Sequence, residues 1–288
     1  MTAAWLGPPI DVRSLFAEQQ AHFVELLRGL GDDEWTRPTV CPGWDVRDIA
    51  AHVLGDHVGR LSMLRDGFVA LRPRADEAFP RFIDRINDEW VTAARRISPL
   101  LLVDLLSAVG EQVVEYWQGV DMDAIGGSVS WAGPESHPVW LDAARDFSEY
   151  WTHHQQICDA TGRAGLTEPR YLEPVLDTFM RALPYTMRDV PAPEGAVVQV
   201  VITGFGGWAC IRGSNGSERW ALRRETFDRT DALIELDADT AWRLCTRGIT
   251  PAHAVGRARI EGDRTLGDSA LQIVSIIHPG DDTPVQRM

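Results

Sequence analysis

Along the first 165 residues apolar positions recur every three to four residues, and after about residue 190 they shift to short runs broken by turn residues. Leu15, Phe16, Phe23, Leu26, Leu27 and Leu30 place one stripe on a first helix, with Asp11 as its candidate N-cap. Asp45, followed by Asp48 three residues on, predicts a capping box opening a second helix that carries His52. A third helical region runs from about Phe79 to Trp117, interrupted at Pro99, where a proline ring collides with the preceding turn. Gly119 to Pro138 reads as loop. A fourth long helix runs from about Val139 to Thr161 and stops at Gly162. Four long helices with connections of varied length predict an all-α four-helix bundle over residues 1–165.

A helix from about Tyr171 to Arg188, within residues 166–190, is expected to link this bundle to a second domain. Val197–Thr203, Trp208–Arg212, Arg219–Arg224 and Leu233–Leu236 read as short strands, with Ser214-Asn215-Gly216 as a hairpin turn. Helical segments near Asp239–Arg247 and Leu266–Ile277 flank one more strand, Ala258–Glu261. Residues 191–288 therefore predict a separate small α+β domain.

Composition narrows the classes. Hydrophobic residues make up 44% of the 288 and charged residues 24%, as in soluble globular proteins. A net charge of −14 argues against nucleic acid or an anionic membrane as partner. All 28 basic residues are arginine, which excludes Schiff-base and lysine general-base chemistry and reads as the mutational bias of a GC-rich genome. The four cysteines are widely spaced and form no CxxC pair. Free thiols, no signal peptide and no apolar run of membrane-spanning length predict a cytoplasmic protein, expected to be a monomer.

Glu149 and His153 are the most informative pair. At i and i+4 they share a helix face and can grip one metal ion, or they can be an ordinary surface pair. On the wheel, Trp140, Phe147, Trp151, His154 and Cys158 form the apolar stripe, and Glu149 and His153 fall opposite it with Asp142, Arg145 and Gln156. Ligands there would lie at the edge of the bundle, and His154 reads as a core histidine. His52 flanks the stripe Val46, Ile49, Val53, and His57 is its rival. Asp48 and Asp56, four residues either side of His52, read as surface charges, with a role orienting its ring as the alternative. His22, His137, His253 and His278 have no partner at ligand spacing. Cys41 reads as buried, Gly204 to Gly207 as a β-turn, and Trp131, Trp140 and Trp208 as candidates to line a pocket.

The stretch Leu30-Gly-Asp-Asp-Glu-Trp-Thr-Arg-Pro-Thr-Val-Cys-Pro-Gly-Trp44-Asp-Val-Arg-Asp-Ile-Ala-Ala-His52-Val-Leu resembles the N-terminal domain of the mycothiol-dependent maleylpyruvate isomerase family, part of the wider DinB-like group. Glu149-x-x-x-His153-x-x-x-Ile157 resembles the second half of that domain's metal motif. Asp237 to Gly248 and Arg259 to Gly267 resemble its sterol-carrier-like C-terminal domain. The resemblance implies a divalent metal, zinc, held by His52, Glu149 and His153, with mycothiol as thiol cosubstrate and a small electrophilic substrate. It also implies an arginine from the second domain, best matched by Arg247 with Arg243 and Arg264 as rivals, pairing with a substrate carboxylate. Many members read H-x-x-D-I-R where this chain has His153-His-Gln-Gln156-Ile157-Cys158, a departure that bears on substrate identity. The expected activity is that of a maleylpyruvate isomerase or a thiol S-transferase, and the alternative is a non-catalytic metal-binding or regulatory protein.

Overall fold

The computed structural model describes residues 4–213 and 219–277. The chain divides into two compact units. Among the described residues, one comprises Val12–Val120 with Glu149–Leu166, the other residues 4–11 with Asp121–Ser148 and Thr167–Ile276.

The first unit is helical. It holds α1 (Phe16–Arg28), α2 (Val46–Arg60), α3 (Phe79–Ala94), α4 (Pro99–Gly119) and the second half of α5 (Val139–Thr161). α4 packs against α1 and α2, and α3 against α2. Phe16 stacks on Trp117 with ring centroids 6.1 Å apart, and Phe23, Leu27, Ile49, Val53, Leu106 and Trp151 are buried around them. Each such side chain contributes about 1.5–3 kcal/mol on burial, so these positions fix which face each helix turns inward. The predicted capping box is formed: Asp48 N donates to Asp45 Oδ1 at 2.9 Å, and Asp45 N to Asp48 Oδ2 at 3.4 Å. Pro99, read as an interruption, is the first residue of α4, where its missing N–H costs nothing. Gly162, with φ of +70°, ends α5. Asp11 does not cap the first helix. A 3-10 turn, Arg13–Leu15, precedes α1, because the buried Val12 anchors the chain just before it.

The second unit carries a five-stranded sheet of β3 (Val197–Ile202), β4 (Gly206–Arg212), β5 (Trp220–Arg223), β6 (Ala232–Leu236) and β7 (Arg259–Gly262), ordered β5-β4-β3-β6-β7. Every pairing is antiparallel except β3 with β6. The helices are α6 (Pro169–Met180), α7 (Leu183–Thr186), α8 (Ala238–Cys245), α9 (Pro251–Val255) and α10 (Arg264–Ala270). α10 lies on β3, β6 and β7, and α6 packs on α8. Gly204 lies in the turn between β3 and β4, and Gly206 and Gly207 open β4, with Gly204 and Gly206 at positive φ. The architecture is a helical N-terminal region followed by a helix-plus-sheet C-terminal region.

Three sequence expectations change in this unit. The segment read as loop contains a small antiparallel pair, β1 (Ile125–Ser128) with β2 (Ser136–Pro138). The single linking helix is two, because the Pro184 ring cannot follow the Met180 carbonyl in a continuous helix. The last helix stops at Ala270 instead of reaching Ile277, since Ser275 N donates to Cys245 O at 2.8 Å and Ser275 Oγ to Phe179 O at 2.8 Å, holding that segment away from helical pairing. The Ser214-Asn215-Gly216 turn and His278 lie outside the described residues.

Candidate metal centre

α2 and α5 bring His52, Glu149 and His153 together, with one donor atom from each within 4.8 Å of the other two. His153 Nε2 lies 3.1 Å from Glu149 Oε1, and His52 Nε2 lies 3.7 Å from the same oxygen. The two imidazoles meet edge to face at 4.7 Å, and the Trp44 ring backs His52 at 5.1 Å. Both histidines are buried, at 5% and 7% exposure, while the Glu149 side chain is 34% exposed. The surface-pair alternative is thereby overturned, and so is the wheel's polar face. Asp142, His153 and Gln156 are all buried, and His153 and Gln156 bond each other.

A second layer orients the first. His153 Nδ1 lies 2.8 Å from Gln156 Oε1. An amide oxygen only accepts, so Nδ1 carries a proton, and Nε2, 3.1 Å from Glu149 Oε1, is the nitrogen left to hold an ion. Cys41 Sγ donates to the same Oε1 at 3.4 Å. Cys41 is half-buried, not fully buried, and burial together with the Glu149 charge pushes its thiol up to about 11. Asp48 is no surface charge either. It is 2% exposed and grips Arg95 through both oxygens, at 3.0 and 2.8 Å. Asp56 Oδ2 lies 3.4 Å from His52 Nε2.

The electrostatics arise from this packing. Burial opposes the Glu149 charge, but the hydrogen bond with His153 and the nearby His52 ring outweigh it and hold the carboxyl well below the ordinary range. Burial likewise works against a charged His52, and Asp56 and Glu149 reverse that and raise it. The rivals are core residues. His57, 1% exposed, stands edge-on to Tyr150 at 4.6 Å, and burial lowers it to about 3. His154 lies against Phe23, and burial then the His22 charge lower it to about 4.

Arg247 lies in the other unit, where its guanidinium donates to Ile273 O at 3.0 Å and Gln272 O at 2.8 Å. Its φ of +58° places it in the left-handed position that follows α8, one that glycine occupies at lower cost. Trp131, Trp140 and Trp208 are core side chains. The cavity of about 200 Å³ in that unit is lined by Trp5 and Trp220 instead. Cys158, at the departure from the family pattern, donates to Ala164 O.

Two imidazoles and one carboxylate from two helices suit a divalent transition-metal ion by number and donor type. Among the described residues no helix is long and apolar enough to cross a membrane. The mycothiol-dependent maleylpyruvate isomerase is similar in structure over 81% of this chain and 86% of its own, at 14% identity and a TM-score of 0.50. A histidine-to-alanine variant of a mycothiol-dependent maleylpyruvate isomerase matches over the same shares at 12% identity and a TM-score of 0.51. At these identities the likeness establishes the fold. No curated protein matches the chain. Residues 16–158 match the family model described as the mycothiol maleylpyruvate isomerase N-terminal domain, and through them the chain belongs to that family.

Proposed function

We propose that this chain is a metal-dependent enzyme that uses a low-molecular-weight thiol, mycothiol, against a small electrophilic substrate, as an isomerase of the maleylpyruvate type or a thiol S-transferase. The observation that carries the reading is the convergence of His52, Glu149 and His153 on one point, with both imidazoles buried and the carboxylate partly open. Zinc is the ion proposed. A bound ion of this kind lowers the pKa of a coordinating thiol and so supplies a nucleophile near neutral pH. The protein's share is positional. Gln156 fixes the ring of His153, Trp44 covers His52, and the half-exposed Glu149 marks the side from which small molecules reach the cluster. None of the four cysteines belongs to the cluster, which fits a thiol supplied from outside. Arg247 is proposed to pair with a substrate carboxylate. What supports it is an arginine kept at a left-handed backbone position in spite of a cost of about 1 kcal/mol.

Metal analysis of the purified protein is the first test. About one divalent ion per chain is expected, lost on His52→Ala or Glu149→Ala substitution, and a chain that takes up no zinc on reconstitution would sink the enzyme reading. Loaded protein is then offered mycothiol with a panel of electrophiles, including maleylpyruvate. Metal binding without any thiol adduct or isomerised product would assign a non-catalytic role. Arg247→Ala is expected to keep its metal and lose turnover, and unchanged turnover would retire the pairing proposed for that residue.

A further inference from the structure

We propose that Asp56 is a fourth ion-binding side chain of this centre, a carboxylate that fills the position opened to the thiol until the thiol arrives. The inference rests on the metal reading above and adds a residue to it. α2 presents His52 and Asp56 at i and i+4, as α5 presents Glu149 and His153 at i and i+4. Two helices thus face each other with one imidazole and one carboxylate apiece.

The nitrogen that Asp56 addresses decides its role. A side-chain acceptor that merely orients a ligating histidine bonds the nitrogen remote from the ion, as the Gln156 amide oxygen does for Nδ1 of His153. Asp56 Oδ2 instead lies 3.4 Å from Nε2 of His52, the same nitrogen that stands 3.7 Å from Glu149 Oε1 in the cluster. A nitrogen that holds an ion has no proton to donate. When His52 takes its metal, Asp56 loses this partner and its charge is left beside the cation, roughly one ligand bond of about 2 Å from that nitrogen. The side chain is 31% exposed, close to the 34% of Glu149, whereas both imidazoles are buried. Two neutral imidazoles and one carboxylate leave a divalent ion with a charge of about +1; a second carboxylate brings it to about zero. Asp56 therefore strengthens ion binding and competes with an anionic sulfur for the same position.

Those two effects have opposite signs, which separates them from a general loss of structure. The full chain and its Asp56→Asn variant are loaded with cobalt(II) as a spectroscopic probe, and the affinity for zinc is measured by competition with a chelator. Asp56→Asn is expected to weaken zinc binding about 10- to 100-fold. It should also change the visible cobalt spectrum, and bind a small thiol more tightly than the loaded wild type does. Asp56→Glu, which keeps a carboxylate on a longer arm, should recover most of the zinc affinity. Equal zinc affinity and an identical cobalt spectrum in Asp56→Asn would overturn the proposal while leaving the three-residue centre standing. A wild-type chain that binds neither ion overturns the metal reading itself, a distinct result.

Discussion

His57 and His154 are neutral because they are buried, and that makes them acid-sensitive. Burial lowers His57 from 6.5 to about 3 and, with the charge of His22 adding to it, His154 from 6.5 to about 4. Below about pH 6.5 the unfolded chain takes up protons on both rings while the folded chain does not. Their contribution is therefore fully present above that pH and falls by about 1.4 kcal/mol per pH unit for each histidine. His52 runs the other way in the metal-free protein: its raised value adds stability below its ordinary pKa, lost as pH rises through the folded one. We expect urea midpoints of the metal-free chain to drop between pH 6.5 and about 5.5, above the range where most carboxylates titrate, and His57→Phe to remove about one proton's worth of that slope. A variant that kept the full slope would show that His57 is charged in the fold. At this scale the sequence was legible in part. Spacing exposes the Glu149/His153 pair, but His52 and His57 lie five residues apart on one helix and both are buried, so only packing against α5 distinguishes the histidine of the cluster from that of the core. Cys41 comes to Gln156 from 115 residues away, which no local pattern records.

Elements were legible where a local chemical signal starts or stops them. The Asp45/Asp48 box, Pro99 and Gly162 mark helix ends in the sequence and in the structure alike. The β1–β2 pair carries no such signal because Ile125–Ser128 and Ser136–Pro138 show no apolar alternation, and the stop at Ala270 carries none because it depends on hydrogen bonds to distant chain. Glycines within α2 show the same division between local and tertiary control. Gly55 and Gly59 look alike in sequence, yet a Cβ on Gly55 would meet the Trp90 ring at 2.6 Å, whereas one on Gly59 meets nothing within 4 Å. Trp90 also donates from Nε1 to Ala51 O at 2.7 Å, so its ring cannot move off without losing that bond. Replacing helical glycine by alanine favours the helix by about 1 kcal/mol, but overpacking costs about 1–3 kcal/mol and a lost hydrogen bond adds to it. Gly59→Ala should raise stability by up to about 1 kcal/mol and Gly55→Ala should lower it by about 1–2 kcal/mol in urea melts. Equal shifts in the two variants would mean that α3 does not press on α2 as the structure has it.

Over the whole molecule, the change of pattern near residue 190 correctly announces the sheet that begins at Val197. What the pattern conceals is that residues 4–11 and 121–148 belong with that sheet in one compact unit, because the contacts assembling it join positions far apart in sequence. One buried guanidinium shows how. Arg181 is fully buried; it donates to the Leu6 carbonyl, pairs with Asp177 Oδ2 at 2.6 Å, and lies over the Trp140 ring at 5.5 Å. Asp177 in turn accepts from Trp208 Nε1 at 2.6 Å and faces Arg224 Nη1 at 3.5 Å, so α6 is joined to β4 and to the N-terminal segment through Asp177 and Arg181. Burial works against the Arg181 charge and Asp177 opposes that effect. A buried ion pair gains little over apolar side chains of the same volume, but removing one partner strands the other charge. Asp177→Ala is therefore expected to cost about 3–5 kcal/mol, and Asp177→Asn combined with Arg181→Met to recover more than half of that loss, since the charge is then gone and Trp208 keeps an acceptor. Chemical unfolding of the three proteins at one pH decides it. A single variant within about 1 kcal/mol of wild type would mean that Arg181 is solvated and that the N-terminal segment is held by its apolar contacts alone.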